Sequence, residues 1–195
     1  MDNLDLVVEE LMQGNSVIFP TETSYGLGCD ATNQEAVNKI YEIKGRDFNK
    51  PLLVVVSDVE MAKKYLAWND VLDELAKKYW INHAAPLTIV GQALASELAQ
   101  GVITKENTLA VRVTHHSWLK KIVAEFGGPV VATSANISGE GELYSVADVI
   151  KTFENRSAKP DVVVDGGDLL RVKPSTLVSV ESGNLKVLRQ GDLFL

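Results

Sequence analysis

A short apolar run that ends in a cluster of hydroxyl and amide side chains is the feature that most constrains the fold of this chain. Residues 130–132 are Val-Val-Ala, and the sequence then continues Thr-Ser-Ala-Asn-Ile-Ser-Gly up to Gly139. A second apolar run, residues 16–19, is followed by Pro-Thr-Glu-Thr-Ser-Tyr-Gly-Leu-Gly. In α/β sheets, ligands bind at the carboxyl ends of strands, in a crevice built from the following loops. The two polar loops therefore predict a binding site at the ends of two buried strands.

Apolar periodicity predicts an alternation of helices and strands around these loops. Helical spacing indicates helices at residues 4–11, 36–43, 116–125 and 146–153, and two more within 59–78, the second capped by Asn69 or Asp70. Continuous apolar runs indicate strands at residues 16–19, 52–56, 87–90, 109–113, 130–132, 162–164, 176–180 and 185–188. The last strands are connected too tightly for parallel crossovers. The pattern predicts an α/β fold with a mixed sheet.

Length and composition limit the classes of protein to which the chain can belong. With 195 residues, of which 46% are hydrophobic, we expect one core and a single domain over residues 1–195. No apolar run approaches the ~20 residues of a membrane helix, and the N-terminus lacks the basic start of a secretory signal. We therefore expect a soluble cytoplasmic protein with no membrane contact. The net charge of −7 argues against a basic surface for non-specific nucleic-acid binding, although a local basic cleft stays open.

Cysteine and histidine are too sparse to mark a metal site. Cys29 is the only cysteine, so no intrachain disulfide can form, and the three histidines do not have the spacing of metal ligands. We expect Cys29 to be a small buried residue. His115 and His116 stand at the start of a predicted helix, where exposure and capping explain them.

Three cations share the short segment between the second predicted helix and the following strand. They are Lys44, Arg46 and Lys50. Such a cluster suits a polyanion such as a triphosphate. Basic residues also complement the dipole at the C-terminus of a helix, and composition alone leaves both interpretations open.

The polar loops contain candidate ligand-binding groups. Ser134, Asn136 and Ser138 can donate hydrogen bonds, and Gly139 lets the backbone approach a ligand closely, although the same residues are typical of a capped turn. The glycines at 26 and 28 match neither a dinucleotide-binding motif nor a phosphate loop, so a nucleotide would bind by another scheme.

Glu22 is the acidic residue of the first polar loop. Its carboxylate could be a general base, a magnesium ligand or the partner of a nearby cation. We favour the structural role, in which the carboxylate of Glu22 pairs with a nearby cation.

Taken in order along the chain, these segments resemble the YrdC-type threonylcarbamoyl-AMP synthase family. The Lys-x-Arg and Ser-x-Asn hallmarks of that family correspond to Lys44-Gly45-Arg46 and Ser134-Ala135-Asn136. Four further segments match the family at residues 19–28, 86–88, 109–113 and 188–191. The short length, the Pro-Ser-Thr element at 174–176 and the end of the sequence at Leu195 favour the single-domain bacterial branch.

This resemblance implies a twisted, largely open sheet with a concave ligand-binding face. It also implies the condensation of L-threonine, bicarbonate or CO₂, and ATP to threonylcarbamoyl-AMP and pyrophosphate, with a magnesium ion expected and its ligands unassigned. A separate tRNA-modifying transferase would then use the adenylate to modify adenosine 37 of transfer RNAs.

The resemblance assigns roles to ten residues. It implies that Lys44 and Arg46 are catalytic and that ATP is bound by Lys44, Arg46, Lys50, Thr108, Ser134, Asn136 and Arg189. It implies that L-threonine is bound by Thr23, Arg112 and Ala132, with the guanidinium of Arg112 on the substrate carboxylate.

Two departures from the family pattern and two alternative functions accompany this interpretation. The sequence His83-Ala84-Ala85-Pro86 replaces a Trp-Pro-Gly-Pro loop and leaves His83 without a role, and Lys50 replaces an asparagine that many longer relatives carry. One alternative is a protein of double-stranded RNA binding or ribosome assembly that uses the same concave face, with weak tRNA contact. Another is a carbamoyl-transfer domain of the kind found in larger carbamoyltransferases.

Overall fold

Helices and strands alternate along the chain, as the sequence predicts. The computed structural model describes residues 4–82, 86–94, 97–181 and 183–195. The helices are α1 (Leu4–Met12), α2 (Gln34–Lys44), α3 (Val59–Tyr65), α4 (Asp70–Leu75), α5 (Ser117–Phe126) and α6 (Val146–Phe153). A π-helical segment, Ala76–Ile81, continues α4. The strands are β1 (Val17–Pro20), β2 (Tyr25–Gly28), β3 (Val54–Val56), β4 (Leu87–Gln92), β5 (Thr108–Val113), β6 (Val130–Val131), β7 (Thr133–Ser134), β8 (Val162–Val163), β9 (Thr176–Glu181) and β10 (Asn184–Arg189).

The strands form two sheets. The smaller sheet has the order β7-β2-β1-β8, and the larger has the order β10-β9-β4-β5-β3-β6. Each contains parallel and antiparallel pairs: β1 is parallel to β8, β3 to β5 and β4 to β9, whereas β9 and β10 form an antiparallel hairpin. The predicted mixed α/β fold is confirmed, and the tightly connected terminal strands are antiparallel as expected.

The division into two sheets depends on β2 and β7, which the apolar pattern did not predict. β2 contains two glycines and β7 has two polar residues, so neither reads as a buried strand. Both form because they pair antiparallel: β2 with β1, and β7 with β2. A Cβ atom on Gly28 would lie 2.1 Å from the carbonyl oxygen of Val131, so only glycine lets β2 approach this neighbour so closely.

Side-chain caps fix several helix ends where the sequence suggests them. Asn69 Oδ1 accepts a hydrogen bond of 3.0 Å from the backbone N–H of Leu72, which confirms Asn69 as the cap of α4. His116 Nδ1 accepts a bond of 3.4 Å from the N–H of Leu119, which confirms the capping role expected at this position.

One core cluster fills the space between the helices and the two sheets. Its fully buried large side chains include Trp80, Tyr25, Phe19 and Leu11. Cys29 is also fully buried, as predicted. Within the described part of the chain, no helix is both long and apolar enough to cross a membrane.

Candidate functional site

A cleft of about 1020 Å³ lies against one face of the larger sheet, where loops from the smaller sheet meet it. Because successive side chains of a strand point to opposite faces, alternate residues of β5 line the cleft. These are Thr108, Ala110 and Arg112, whereas Leu109 and Val111 are buried in the core. Alternate residues of β9 and β10 also line the cleft, namely Leu177, Ser179, Glu181, Asn184, Lys186 and Leu188, and Arg189 joins them after a register shift at the end of β10.

The cleft brings together most of the side chains that the resemblance assigns to substrates. The predicted site residues that line it are Thr23, Arg46, Lys50, Thr108, Arg112, Ala132, Ser134 and Arg189. They come from both polar loops, the end of α2, two strands of the larger sheet and the segment between β6 and β7. The remaining two, Lys44 and Asn136, are buried beside the cleft and do not line it.

The C-terminus of α2 explains why Lys44 and Arg46 point in different directions. Gly45 has a left-handed φ of 57° and ends the helix, with its N–H bonded to Glu42 O and the N–H of Arg46 bonded to Tyr41 O at 3.0 Å. Lys44 therefore belongs to the last helical turn, while Arg46 begins the loop that follows it.

The guanidinium of Arg46 holds its own loop at the edge of the cleft. Its Nε donates to Lys50 O at 2.8 Å and its Nη2 donates to Pro51 O at 3.1 Å. The hydroxyl of Tyr41 donates to Gly101 O at 2.7 Å and also lies 3.1 Å from Lys50 O. These bonds place two cations, Arg46 and the exposed Lys50, on one short loop of the cleft wall.

Lys44 is a fully buried cation with only protein oxygens around its ammonium group. Its Nζ donates to the carbonyl oxygen of Ser134, to Asn136 O at 2.8 Å and to Asn136 Oδ1 at 2.9 Å. Burial and, to a smaller extent, the charge of Arg46 lower the pKa of Lys44 to about 7. The three oxygen acceptors favour the charged form and act in the opposite direction. The sequence carries a signal for this burial, because Lys44 lies seven residues after the buried Val37 and shares its helix face.

Glu22 and Arg112 form a buried ion pair at the floor of the cleft. The Nε of Arg112 lies 3.4 Å from Oε1 of Glu22, and the hydroxyl of Thr114 donates to Glu22 Oε2 at 3.0 Å. Burial raises the pKa of Glu22, but the charge of Arg112, a backbone hydrogen bond and Thr114 outweigh it and leave that pKa below its ordinary value. Of the roles considered for Glu22, the structure therefore confirms the partner of a nearby cation.

The first polar loop is a tight turn that places Thr23 in the cleft. The hydroxyl of Thr21 donates to Ser24 O at 2.7 Å and accepts from the N–H of Thr23 at 3.1 Å. The hydroxyl groups of Thr21 and Thr23 lie 3.0 Å apart and share a hydrogen bond. This turn therefore fixes the position of Thr23 through its own backbone.

Arg189 is fixed by Ser175, to which the sequence patterns assign no role. Its Nε and Nη2 donate to Ser175 O at 3.2 and 3.0 Å, and Nη2 also reaches Ser175 Oγ at 3.1 Å. The hydroxyl of Ser175 shares a further bond of 2.7 Å with that of Thr88. In the sequence, only the Pro-Ser-Thr element at residues 174–176, which resembles the family, indicates that Ser175 has a role.

The sequence patterns did not predict three acidic residues that line the cleft. Glu106, Glu142 and Glu181 line it together with the cations, so its charge is mixed. Tyr144 donates to Glu142 Oε2 at 2.8 Å. Single acidic residues in exposed loops and strand ends carry no pattern that marks them in a sequence.

The described residues do not build a protein cage for a magnesium ion. No group of three or more His, Cys, Asp or Glu side chains in the described ranges could hold a metal. Magnesium commonly keeps several waters and binds through substrate phosphates, which is the arrangement that this set of side chains would allow. The altered loop at residues 83–85, including His83, lies outside the described residues.

Comparisons with known proteins identify the family to which this chain is similar. A family model described as "Telomere recombination" (Sua5, YciO and YrdC) matches residues 9–191. The chain is 33% identical to a threonylcarbamoyl-AMP synthase of Vibrio vulnificus strain YJ016 over 98% of its own length and 100% of that protein. It is 32% identical to the protein of the same name from Aliivibrio fischeri, with the same coverage of both chains.

Solved structures of Sua5 and YciO proteins are also similar to this chain. P. abyssi Sua5, in a crystal structure complexed with L-threonine, is 30% identical and superposes with a TM-score of 0.87 over 97% of this chain. The chain spans about half, 54%, of that longer protein. E. coli YciO shares the fold, with a TM-score of 0.85 at 21% identity over 97% of this chain and 89% of its own. The chain therefore belongs to the Sua5, YciO and YrdC family.

Proposed function

We propose that the cleft binds ATP and L-threonine together and that the chain condenses them with bicarbonate or CO₂ to threonylcarbamoyl-AMP and pyrophosphate. The names of the bacterial relatives confirm the synthase that the sequence predicts, and with it an enzyme of the nucleotidyltransferase type. The observation that carries the assignment of the site is the convergence of Arg46, Ser134, Arg112 and Arg189 from four separate segments on one cleft.

The cleft is large for a ligand site. Sites for one drug-sized ligand occupy about 300–1,000 Å³, and this cleft reaches about 1020 Å³. This volume is compatible with a nucleotide and an amino acid bound side by side.

In the proposed reaction, the threonine amine first forms a carbamate, either with bicarbonate and loss of water or with CO₂ and loss of a proton from the amine. A carbamate oxygen then attacks the α-phosphorus of ATP, the bond to the β-phosphate oxygen breaks, and pyrophosphate leaves with the bonding electron pair. Phosphoryl-type transfer depends mainly on positioning and on the neutralisation of charge. Arg46 and Lys50 on one wall and Arg189 on the other supply positive charge for the triphosphate. Thr108 supplies a neutral hydroxyl donor, whereas the hydroxyl of Ser134, whose proton is donated to Asn136 Oδ1, offers its oxygen as an acceptor.

Arg112 is proposed to bind the carboxylate of L-threonine. Glu22 faces its Nε, so the donors on the terminal nitrogens remain for a planar carboxylate. Ala132 and Thr23 also line the cleft, where the hydroxyl of Thr23 would satisfy the substrate hydroxyl. The complex of P. abyssi Sua5 with L-threonine supports an amino-acid site in this fold.

The metal ion, the partner proteins and the location of the reaction are also part of the proposal. Magnesium would arrive with the triphosphate, and the adenylate would pass in the cytoplasm to separate transferase proteins that modify tRNA. The RNA-binding alternative has less support, because three carboxylates, those of Glu106, Glu142 and Glu181, share the lining with the cations.

Pyrophosphate release tests this proposal. The purified chain is incubated with ATP, magnesium and bicarbonate, with L-threonine, L-serine, L-valine or no amino acid. We expect release to depend on L-threonine, to be slower with L-serine and to stay at background with L-valine. Equal release with and without threonine, or none at all, would contradict the proposal, and a duplex-RNA binding assay would then test the alternative.

A further inference from the structure

The two hallmark tripeptides of the family each contribute one cleft residue and one buried residue. Arg46 and Ser134 line the cleft. Lys44 is 1% exposed and Asn136 is 6% exposed, and neither lines it. The family resemblance implies that all four bind ATP, whereas the structure places only two of them at the cleft.

The two buried residues are bonded to each other. Lys44 Nζ lies 2.9 Å from Asn136 Oδ1 and 2.8 Å from Asn136 O, and it also contacts the carbonyl oxygen of Ser134. In the reverse direction, the N–H of Ser138 donates to Lys44 O at 2.8 Å. The last turn of α2 is thereby joined to the turn that follows β7 by bonds in both directions.

The side chain of Asn136 bonds to protein groups through both its oxygen and its nitrogen. Its Oδ1 accepts from Lys44 and, at 2.6 Å, from the hydroxyl of Ser134, while its Nδ2 donates to Glu140 O at 2.6 Å. The hydroxyl of Ser134, which lines the cleft, is therefore oriented by Asn136, and Asn136 is in turn held by Lys44.

We propose that Lys44 and Asn136 are positioning residues, which hold Ser134 and the loop of Arg46 at the wall of the cleft without contacting ATP themselves. This inference rests on the proposed function, since the effect of the pair is read through the reaction of the cleft. For Lys44 to reach a phosphate, it would have to leave two carbonyl oxygens and one amide oxygen in a buried site. Unsatisfied buried acceptors are costly, so the observed contacts are the favoured ones.

A double-mutant cycle separates positioning from direct contact. The variants are Lys44→Met, Asn136→Ala and the double variant, each assayed for kcat/KM with ATP and L-threonine at a temperature where circular dichroism shows them folded. We expect each single change to lower kcat/KM by about 10- to 100-fold, since each removes charge-assisted bonds that orient Ser134. Because both act on the same turn, the double variant should fall no more than about threefold below the worse single variant.

Two further variants sharpen the cycle. Lys44→Gln keeps an N–H donor without charge, so it should recover at least about threefold of the activity lost in Lys44→Met. Lys64→Met makes the same chemical change at an exposed lysine and serves as the matched control, with wild-type activity expected. If Lys44→Met does not fold, the cycle is run with Lys44→Gln in its place.

Three results would overturn the inference. They are losses that multiply in the double variant, equal activity of the Gln and Met variants, and a lowered melting temperature with unchanged kcat/KM of the folded enzyme. Multiplying losses would indicate that Lys44 contacts the triphosphate directly. A wild-type protein without threonine-dependent turnover would instead refute the proposed function itself, so the two failures are distinguishable.

Discussion

Residues that are close in sequence lie in different environments around this cleft. Lys44 and Arg46 are both cations, yet one is enclosed by protein oxygens and the other lines the cleft, because Gly45 turns the chain between them. Arg112 faces the side of the sheet opposite to Leu109 and Val111, its apolar neighbours in β5, and therefore lines the cleft. At the scale of single residues, position relative to a helix end or a strand face therefore decides the role of a charge.

The first prediction concerns Arg46. Arg46→Ala should lower kcat/KM by about 100-fold, because it removes a fixed donor from the wall where the triphosphate is proposed to bind. The residue is half-buried in a loop, so the melting temperature should change by no more than about 4 °C. Steady-state kinetics and calorimetry of the same preparation check both parts, and unchanged turnover would remove Arg46 from the proposed site.

The buried pair of Glu22 and Arg112 gives a second prediction. Glu22→Gln should lower the free energy of unfolding at pH 7 by about 3 kcal/mol, because it leaves a buried guanidinium without its charged partner. Chemical denaturation of the two proteins measures this difference.

The pH dependence of this difference has a defined sign. The pKa of Glu22 in the folded protein lies below its ordinary value of 4.5, so the carboxylate stabilises the fold above pH 4.5 and loses that effect as the pH falls further. The gap between wild type and Glu22→Gln should therefore shrink as the pH falls below 4.5. A gap that widens on acidification would contradict the ion pair.

At the scale of elements, the ends of helices and the pairing of short strands position the site. The C-terminus of α2 delivers the cation loop, and β7 delivers Ser134 to the cleft through its pairing with β2. The cleft therefore depends on backbone geometry at two element boundaries.

The end of α2 gives a third prediction. Gly45 has a φ of 57°, and a Cβ atom there would meet nothing within 4 Å, so substitution costs backbone strain and no steric clash. Gly45→Ala should lower the free energy of unfolding by about 1 kcal/mol, which corresponds to about 2–4 °C in melting temperature.

Gly45→Asn is the matched control, because asparagine tolerates the left-handed region better than alanine. It should cost less than Gly45→Ala by calorimetry. If alanine and asparagine are equally tolerated without loss of stability, the left-handed end of α2 is not needed.

At the scale of elements, the sequence predicts some helices and strands and misses others. Long apolar or periodic segments such as β5 and α5 were predicted because burial imprints its period on many residues. β2 was missed because its close approach to Val131 requires glycine, which lowers the strand signal at the same place where the pairing is tightest. The bonds of Ser175 to Arg189 and Thr88 join distant segments, and a single sequence contains no periodicity that reports such contacts.

At the scale of the whole molecule, the cleft is a product of two sheets that meet. The larger sheet contributes its exposed face, and the smaller sheet contributes the turn at Thr23 and the strand end at Ser134. Substrates that span both walls should therefore stabilise the molecule as a whole.

Ligand-induced stabilisation gives a fourth prediction. ATP at about 100 times its dissociation constant should raise the melting temperature by about 5–10 °C, from a binding contribution of about 2.7 kcal/mol. L-threonine should add a further increase in wild type, and this increase should be lost in Arg112→Ala while the shift with ATP is kept. A threonine shift that survives in Arg112→Ala would place the amino-acid carboxylate elsewhere.

The most direct test of the central claim is the identity of the nucleotide product. Mass spectrometry of a reaction with ATP, L-threonine and ¹³C-bicarbonate should reveal threonylcarbamoyl-AMP that carries the labelled carbon, with strongly reduced amounts for Arg46→Ala. A threonyl adenylate without the label, or AMP formed at the same rate without threonine, would contradict the account.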